Sequence, residues 1–251
     1  MFDLSGRIAL ITGSSRGIGL AYAEALAGAG AEVVLNSRSA GDLETARAGL
    51  AGAGHTVRAS AFDVTDGDAV EAAVATIEND VGPIDILFNN AGIQRRAPLV
   101  DFEADVWRAL MAVNLDAVFL VGRAVARRML PRGRGKIVNT CSVGSELARP
   151  TIAPYTTSKA AVKMLTKAMC AEWAAHGIQV NGIGPGYFKT ELNRALFTDP
   201  EFDAWVRKRT PAGRWGELDD LKGAAVFLAS DASNYVNGHV LYIDGGLTSV
   251  V

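Results

Sequence analysis

The feature that most constrains this chain is a regular alternation of two kinds of segment. Short apolar runs recur, each followed by a longer stretch rich in Ala and Leu with helical spacing. Arg7–Thr12 (RIALIT), Glu32–Asn36, Thr56–Phe62, Ile84–Asn89, Lys136–Cys141 (KIVNTC), Gln179–Gly184 and Val240–Asp244 read as strands. Ile18–Ala29, Asp42–Gly52, Asp66–Asp80, Glu103–Met129, Tyr155–Ala175 and Glu217–Ser230 read as helices. Strands that are apolar throughout rather than alternating must be covered on both faces, and helices between consecutive strands supply that cover. The expectation is an α/β, doubly wound fold: a seven-stranded parallel sheet with helices on both faces. No linker, repeat or low-complexity block divides residues 1–251, so one domain is expected.

Charge and composition narrow the function classes. The 25 Lys and Arg against 27 Asp and Glu leave a net charge of -2, which is no footprint for nucleic acid or an anionic membrane. The first residues run into a strand with no basic region or cleavage site, and about 18 apolar residues never run uninterrupted. Only Cys141 and Cys170 are present, without disulfide or metal-ligand spacing, and His55, His176 and His239 are scattered. A reduced, cytoplasmic protein with a small-molecule substrate and no metal is the expectation.

The first chemical motif stands between the first strand and the first helix: Thr12-Gly13-Ser14-Ser15-Arg16-Gly17-Ile18-Gly19. A phosphate needs bare backbone N–H groups and the positive end of a helix dipole, and glycines at a strand-to-helix turn keep side chains out of its way. A glycine turn that merely lets strand and helix pack closely would look similar. Its place after a clear first strand favours a dinucleotide, and with it a Rossmann-like sheet. The end of the second strand bears on which dinucleotide. An acid there would bind a ribose 2′-OH and repel a 2′-phosphate, whereas this chain has Asn36-Ser37-Arg38-Ser39. Ser37 and Arg38 can bind a 2′-phosphate, with Arg16 as a second cation, so NADP(H) is expected over NAD(H).

Tyr155 and Lys159 lie at i and i+4, on one face of a helix, and Ser142 follows the KIVNTC strand. Hydride transfer to a ketone leaves an alkoxide that must gain a proton. A free Tyr, with a pKa of about 10, suits neutral pH poorly, and a Lys ammonium and a positive nicotinamide nearby would lower it. Ser142 can hydrogen-bond the carbonyl oxygen and position it for the phenol.

TGSSRGIG, Asn89-Asn90-Ala91-Gly92, Asn114, Ser142, YTTSK and Pro185-Gly186 together resemble the short-chain dehydrogenase/reductase family, over essentially the whole chain. The resemblance implies a catalytic tetrad of Asn114, Ser142, Tyr155 and Lys159, with Asn114 kinking its helix and holding a water that links Lys159 to solvent. It implies that Gly13, Ser15, Arg16, Gly17, Ile18 and Gly19 cradle the cofactor and that Asp63 and Val64 contact adenine. Asn90, Ala91 and Gly92 would support the cofactor, with Tyr155 and Lys159 also bonding it. Pro185, Gly186, Phe188 and Thr190 would lie by the nicotinamide. A homotetramer is implied as well.

The stretches NNAGIQRRAPL, SELARPTIAPYTTSKAAVKMLTK, PGYFKTELN and KRTPAGRWGE resemble a branch of that family acting on gluconate-type sugar acids. Two departures stand out: TTSK where TATK is common, and Gly144 where a larger polar residue is familiar. A sugar acid needs a cation for its carboxylate. Of the adjacent Arg95 and Arg96 one is expected to face the pocket, and Arg96 is the choice, with Arg149 the second candidate and Ser142 and Tyr155 at the reacting carbon. Three other readings stay open: a 3-oxoacyl-carrier-protein reductase docking its carrier on the basic stretch Arg123, Arg127, Arg128, Arg132 and Arg134, another sugar-acid or polyol dehydrogenase, and a non-catalytic dinucleotide sensor.

Overall fold

A computed structural model describes residues 1–251, the side chain of Leu192 excepted. The strands are β1 Ile8–Ile11, β2 Glu32–Ser37, β3 Val57–Ala61, β4 Ile84–Asn89, β5 Gly135–Thr140, β6 Ile178–Pro185 and β7 Val240–Ile243. They form one parallel sheet in the order β3-β2-β1-β4-β5-β6-β7. The order reverses between β1 and β4, and at such a switch point the loops leave in opposite directions and open a crevice at the carboxyl ends of the strands.

Side chains alternate across the pleat and fill two cores. Ala9, Ile11, Ile86 and Phe88 pack beneath the helices α1 (Gly17–Gly28), α2 (Ala40–Gly52) and α9 (Asp219–Ala229). On the opposite face, Ile8, Leu10, Ile84 and Leu87 pack against α3 (Gly67–Asp80), α5 (Ala117–Arg132) and α6 (Ala153–Trp173). Burying each such aliphatic side chain stabilises by roughly 1.5–3 kcal/mol before chain entropy is counted. Asp66 caps α3 by accepting from the backbone N–H groups of Asp68 and Ala69.

The strands agree with the sequence reading within a residue or two, as expected where hydrophobic patterns fix the interior and terminal turns fray. Two differences have clear causes. Helix α6 begins at Ala153, before Tyr155, because Pro154 is tolerated in a first helical turn. The expected single helix from Glu103 is α4 (Ala104–Met111), a wide π-turn at Ala112–Asp116, and α5, which ends at Arg132 before left-handed Gly133. By length and composition this 29-residue run could cross a membrane, but half of its most apolar window is buried in the fold, as in a core helix. Two short helices, α7 (Arg194–Phe197) and α8 (Pro200–Arg209), rise over the carboxyl end of the sheet between β6 and β7.

Candidate active site

The glycine loop follows β1 and is tied to its neighbours by hydroxyls. Thr12 Oγ1 accepts from the backbone N–H of Asn90 at 2.9 Å and Ala91 at 3.1 Å. Asn90 Nδ2 donates to the carbonyls of Thr12 and Gly13, and Ser14 Oγ accepts from Asn36 N. The glycines answer two needs. Gly17 lies at φ 59°, in the left-handed region, whereas a Cβ at Gly19 would stand 2.3 Å from Gly13 O. Arg16, the residue before α1, caps nothing with its side chain, and no acid stands in the first turn, so the N–H groups and positive dipole end remain available to an anion.

At the end of β2, the Ser37 hydroxyl donates to Ser39 O, and Arg38 is largely exposed. Buried Asn36 is structural, donating to the carbonyls of Ser60 and Phe62. The fold brings Asp63 to within 3.8 Å of Arg38, a carboxylate neighbour invisible in the local Asn36–Ser39 stretch. The Thr65 backbone N–H bonded to Asp63, helped by the Thr65 hydroxyl and by Arg38, holds that carboxyl below its ordinary range. Val64 turns its side chain into the core.

Beyond the switch point, a cavity of about 340 Å³ opens above the ends of β5 and β6. Ser142, Gly144, Tyr155, Pro185, Gly186, Phe188, Thr190 and Ile18 line it. A Cβ at Gly144 would sit 3.4 Å from Ser142 Oγ and 3.5 Å from Tyr155 Cε1, so these two side chains flank a small space that a larger residue would intrude upon. Ser142 Oγ accepts from Gly144 N at 3.0 Å, and Ser145 Oγ bridges Ser142 N and Lys159 O. Beneath, a buried chain runs from Asn89 Nδ2 to Asn139 Oδ1 and from Asn139 Nδ2 to Thr166 Oγ1, fixing α6 against β4 and β5. A satisfied network of this kind holds a helix in one register.

Lys159 is buried and donates to Thr140 O at 2.6 Å, with its ammonium 5.9 Å from the centre of the Tyr155 ring. Burial lowers its pKa to about 8. Tyr155 differs from the sequence expectation: burial raises the phenol above its ordinary value, opposed by the Ser142 hydroxyl and by Arg96, and Lys159 makes no comparable contribution. The ammonium is turned to the Thr140 carbonyl instead. Asn114 is wholly buried within the π-turn; its Oδ1 accepts from Ile93 N at 2.8 Å, and its Nδ2 donates to Ile93 O and Ser158 Oγ. Its amide thereby clamps the loop after β4 to α6.

The cavity is also cationic. Arg96, Arg149 and Arg209 line it, none in an ion pair, and no Asp or Glu lines it among the described residues. Both residues of the Arg95–Arg96 pair are exposed, but Arg96 lines the cavity, whereas Arg95 donates to Gln94 O and does not. The Arg149 guanidinium lies 4.7 Å from the centre of the Phe202 ring, a cation–π contact that holds the charge at the wall. Arg149 Nε and Arg209 Nη1 are buried without a hydrogen-bond partner, an arrangement that favours an anion reaching them. Arg96 is held below its ordinary pKa by burial and by Arg149.

Several lining residues escaped sequence reasoning: Tyr187, Leu147, Leu196, Trp205, Arg209 and Leu247. Tyr187 stands between two residues already singled out, and Arg209 belongs to the KRTPAGRWGE stretch. Tyr187, Phe202, Trp205 and Trp215 pack edge to face with ring centres 5.7 Å from Tyr187, forming an aromatic roof. No group of three or more His, Cys, Asp or Glu is placed to hold a metal among the described residues.

A family model described as Enoyl-(Acyl carrier protein) reductase matches residues 13–248. The chain is 61% identical to gluconate 5-dehydrogenase of Gluconobacter oxydans (strain 621H), over 99% of this chain and 97% of that protein. It is 53% identical to 5-keto-D-gluconate 5-reductase of Escherichia coli (strain K12), over 100% of this chain and 99% of that one. A crystal structure of gluconate 5-dehydrogenase from Burkholderia cenocepacia J2315 in complex with NADP and tartrate superposes with a TM-score of 0.97 at 60% identity, covering 100% of this chain and 98% of that chain. With the sheet, the glycine loop and these matches agreeing from end to end, the chain belongs to the short-chain dehydrogenase/reductase family.

Proposed function

We propose that this protein is an NADP(H)-dependent oxidoreductase that interconverts 5-keto-D-gluconate and D-gluconate. The observation that carries the substrate is the cavity itself: Ser142 and Tyr155 share its lining with three arginines free of carboxylate partners. A small polyhydroxy acid suits such a space, its carboxylate meeting the guanidinium groups and its keto carbon the two hydroxyls. The relatives named for gluconate and 5-ketogluconate, and the NADP-bound neighbour, support the same reading.

The residues at β1 and β2 fit the cofactor. The uncapped α1 N-terminus, with Gly13, Ser15, Arg16, Gly17, Ile18 and Gly19, would hold its pyrophosphate, and Ser37 and Arg38 its 2′-phosphate. Asp63 and Val64 would meet adenine; Asn90, Ala91 and Gly92 would support the ring side, with Pro185, Gly186, Phe188 and Thr190 around the nicotinamide. When bound, this cofactor supplies or accepts a hydride at the keto carbon.

The chain's own residues then manage the proton. The Ser142 hydroxyl orients the substrate oxygen, and the Tyr155 phenol, kept protonated by burial, donates its proton as that oxygen becomes an alkoxide. Lys159, held by Thr140, places a positive charge beside the phenolate that remains. Asn114 is a positioning residue here, fixing Ile93 and Ser158 around that pair.

The carrier-protein reading loses much of its docking surface: Arg123 and Arg127 share Glu71, Arg132 faces Glu78 and Arg134 faces Asp85, so three carboxylates offset three of the five positive charges. We further propose one domain over residues 1–251, a cytoplasmic location consistent with two free thiols, and a homotetramer, for which exposed Phe119 on α5 and Met164 on α6 offer apolar contact. The test of function is loss of NADPH absorbance with purified protein offered 5-ketogluconate, fructose and a 3-oxoacyl thioester. Fast turnover of 5-ketogluconate is expected; a preference for either other compound refutes the substrate.

A further inference from the structure

Among the described residues a single non-glycine stands on left-handed backbone: Thr151, at φ 71°. A branched Cβ suits that region poorly, so the conformation persists only where the surrounding chain holds it. The side chain is exposed and makes no hydrogen bond among the described residues, so what the position contributes is backbone. Its carbonyl accepts from the Ala97 N–H at 3.1 Å. That bond joins two loops far apart in sequence, one following β4 and one following β5. Each carries a cavity arginine: Arg96 directly precedes the donor, and Arg149 lies two residues before the acceptor. Like charges on separate loops repel. An arginine pair that must close on one anion therefore needs a tie that the charges themselves do not provide.

We propose that Thr151 is a positioning residue for substrate recognition, its left-handed backbone stapling the two loops so that Arg96 and Arg149 meet one carboxylate; this rests on the sugar-acid reading of the site. The staple is made by the chain, and glycine can make it equally well.

Two substitutions test it. Thr151→Gly adopts the conformation without strain, so KM for 5-ketogluconate should stay within about twofold and Tm should rise. Thr151→Pro cannot reach positive φ, so the staple opens. KM for 5-ketogluconate should then rise about tenfold or more, with kcat within about threefold and the Kd for NADPH within about twofold. An unchanged KM in Thr151→Pro overturns the proposal, as does a parallel loss of kcat and NADPH affinity, or a glycine variant as impaired as the proline one. Should the proline variant not fold, hydrogen exchange in the wild-type holoenzyme decides: the Ala97 amide should be protected, and exchange at the rate of an open loop overturns the staple. A wild type that ignores 5-ketogluconate instead sinks the functional reading, while the exchange measurement still reads the staple.

Discussion

The two halves of the cleft are built differently. The pyrophosphate cradle of the cofactor half, at the turn from β1 into α1, uses one contiguous piece of chain, with backbone N–H groups and glycines as its recognition elements. The substrate half gathers side chains from the loops after β4, β5 and β6 and from α8, and its recognition elements are guanidinium groups. A backbone cradle is nearly indifferent to which residue occupies the remaining positions. A side-chain pocket is defined by them. Cofactor binding should therefore survive most substitutions in the other half, and substrate preference should not.

The sharpest separation comes from Tyr155→Phe. Turnover should fall at least about a hundredfold, the usual scale for losing a general acid, while NADPH binding is kept. Single-turnover kinetics and cofactor fluorescence measure the two; a variant that loses both would mean that the halves are not separable.

Next in size is Arg96→Ala. Loss of a charge-assisted bond worth about 1.5–3 kcal/mol should raise KM for 5-ketogluconate by about tenfold to a hundredfold and leave that for NADPH alone. Steady-state kinetics with each substrate varied in turn checks it. If both constants rise, the arginine wall also supports the cofactor and the contrast fails.

Arg38→Ala reverses the experiment. NADPH affinity should drop by about tenfold, less than a buried pair would lose because Arg38 is exposed and partly engaged by Asp63. NADH, lacking the 2′-phosphate, should bind the variant as it binds the wild type. Equal weakening of both cofactors in a titration would make Arg38 structural.

The smallest effect is on pH. Burial brings Lys159 down to about 8, so it is charged below that pH and loses its charge above it. In ketone reduction, kcat/KM should hold up to about pH 8 and decline beyond, by a fewfold per pH unit at most. The stability contribution has the opposite slope. Between about 8 and 10.5 the folded chain binds fewer protons at Lys159 than the unfolded chain does, so stability gains from this group as pH rises. A kcat/KM that stays level across that window would mean that Lys159 acts only as a hydrogen-bond donor.

Legibility in the sequence follows the same division. The seven strands and the glycine loop were readable because apolar runs and a strand-to-helix turn are local patterns. Tyr155 and Lys159 were readable as neighbours because four residues make one helical turn. Arg209 was not, since nothing local says that α8 folds back over the end of β6. The Asp63 carboxylate beside Arg38 was missed for that reason too: Arg38 follows β2 and Asp63 follows β3, and only strand pairing brings the two turns together. The phenol's raised pKa was out of reach because burial depends on every element that packs around it.

The π-turn at Ala112–Asp116 has a consequence for chain length. A regular helix advances about 100° per residue, so one surplus residue sets the faces of α4 and α5 against different neighbours. Deleting any one of the five would restore an ordinary helix. It would also swing α4 around by that angle, carrying Leu110 out of the core and unseating Asn114 from Ile93. Insertions and deletions here are thus far costlier than substitutions. Asn114 apart, the segment's letters can change more cheaply than its count.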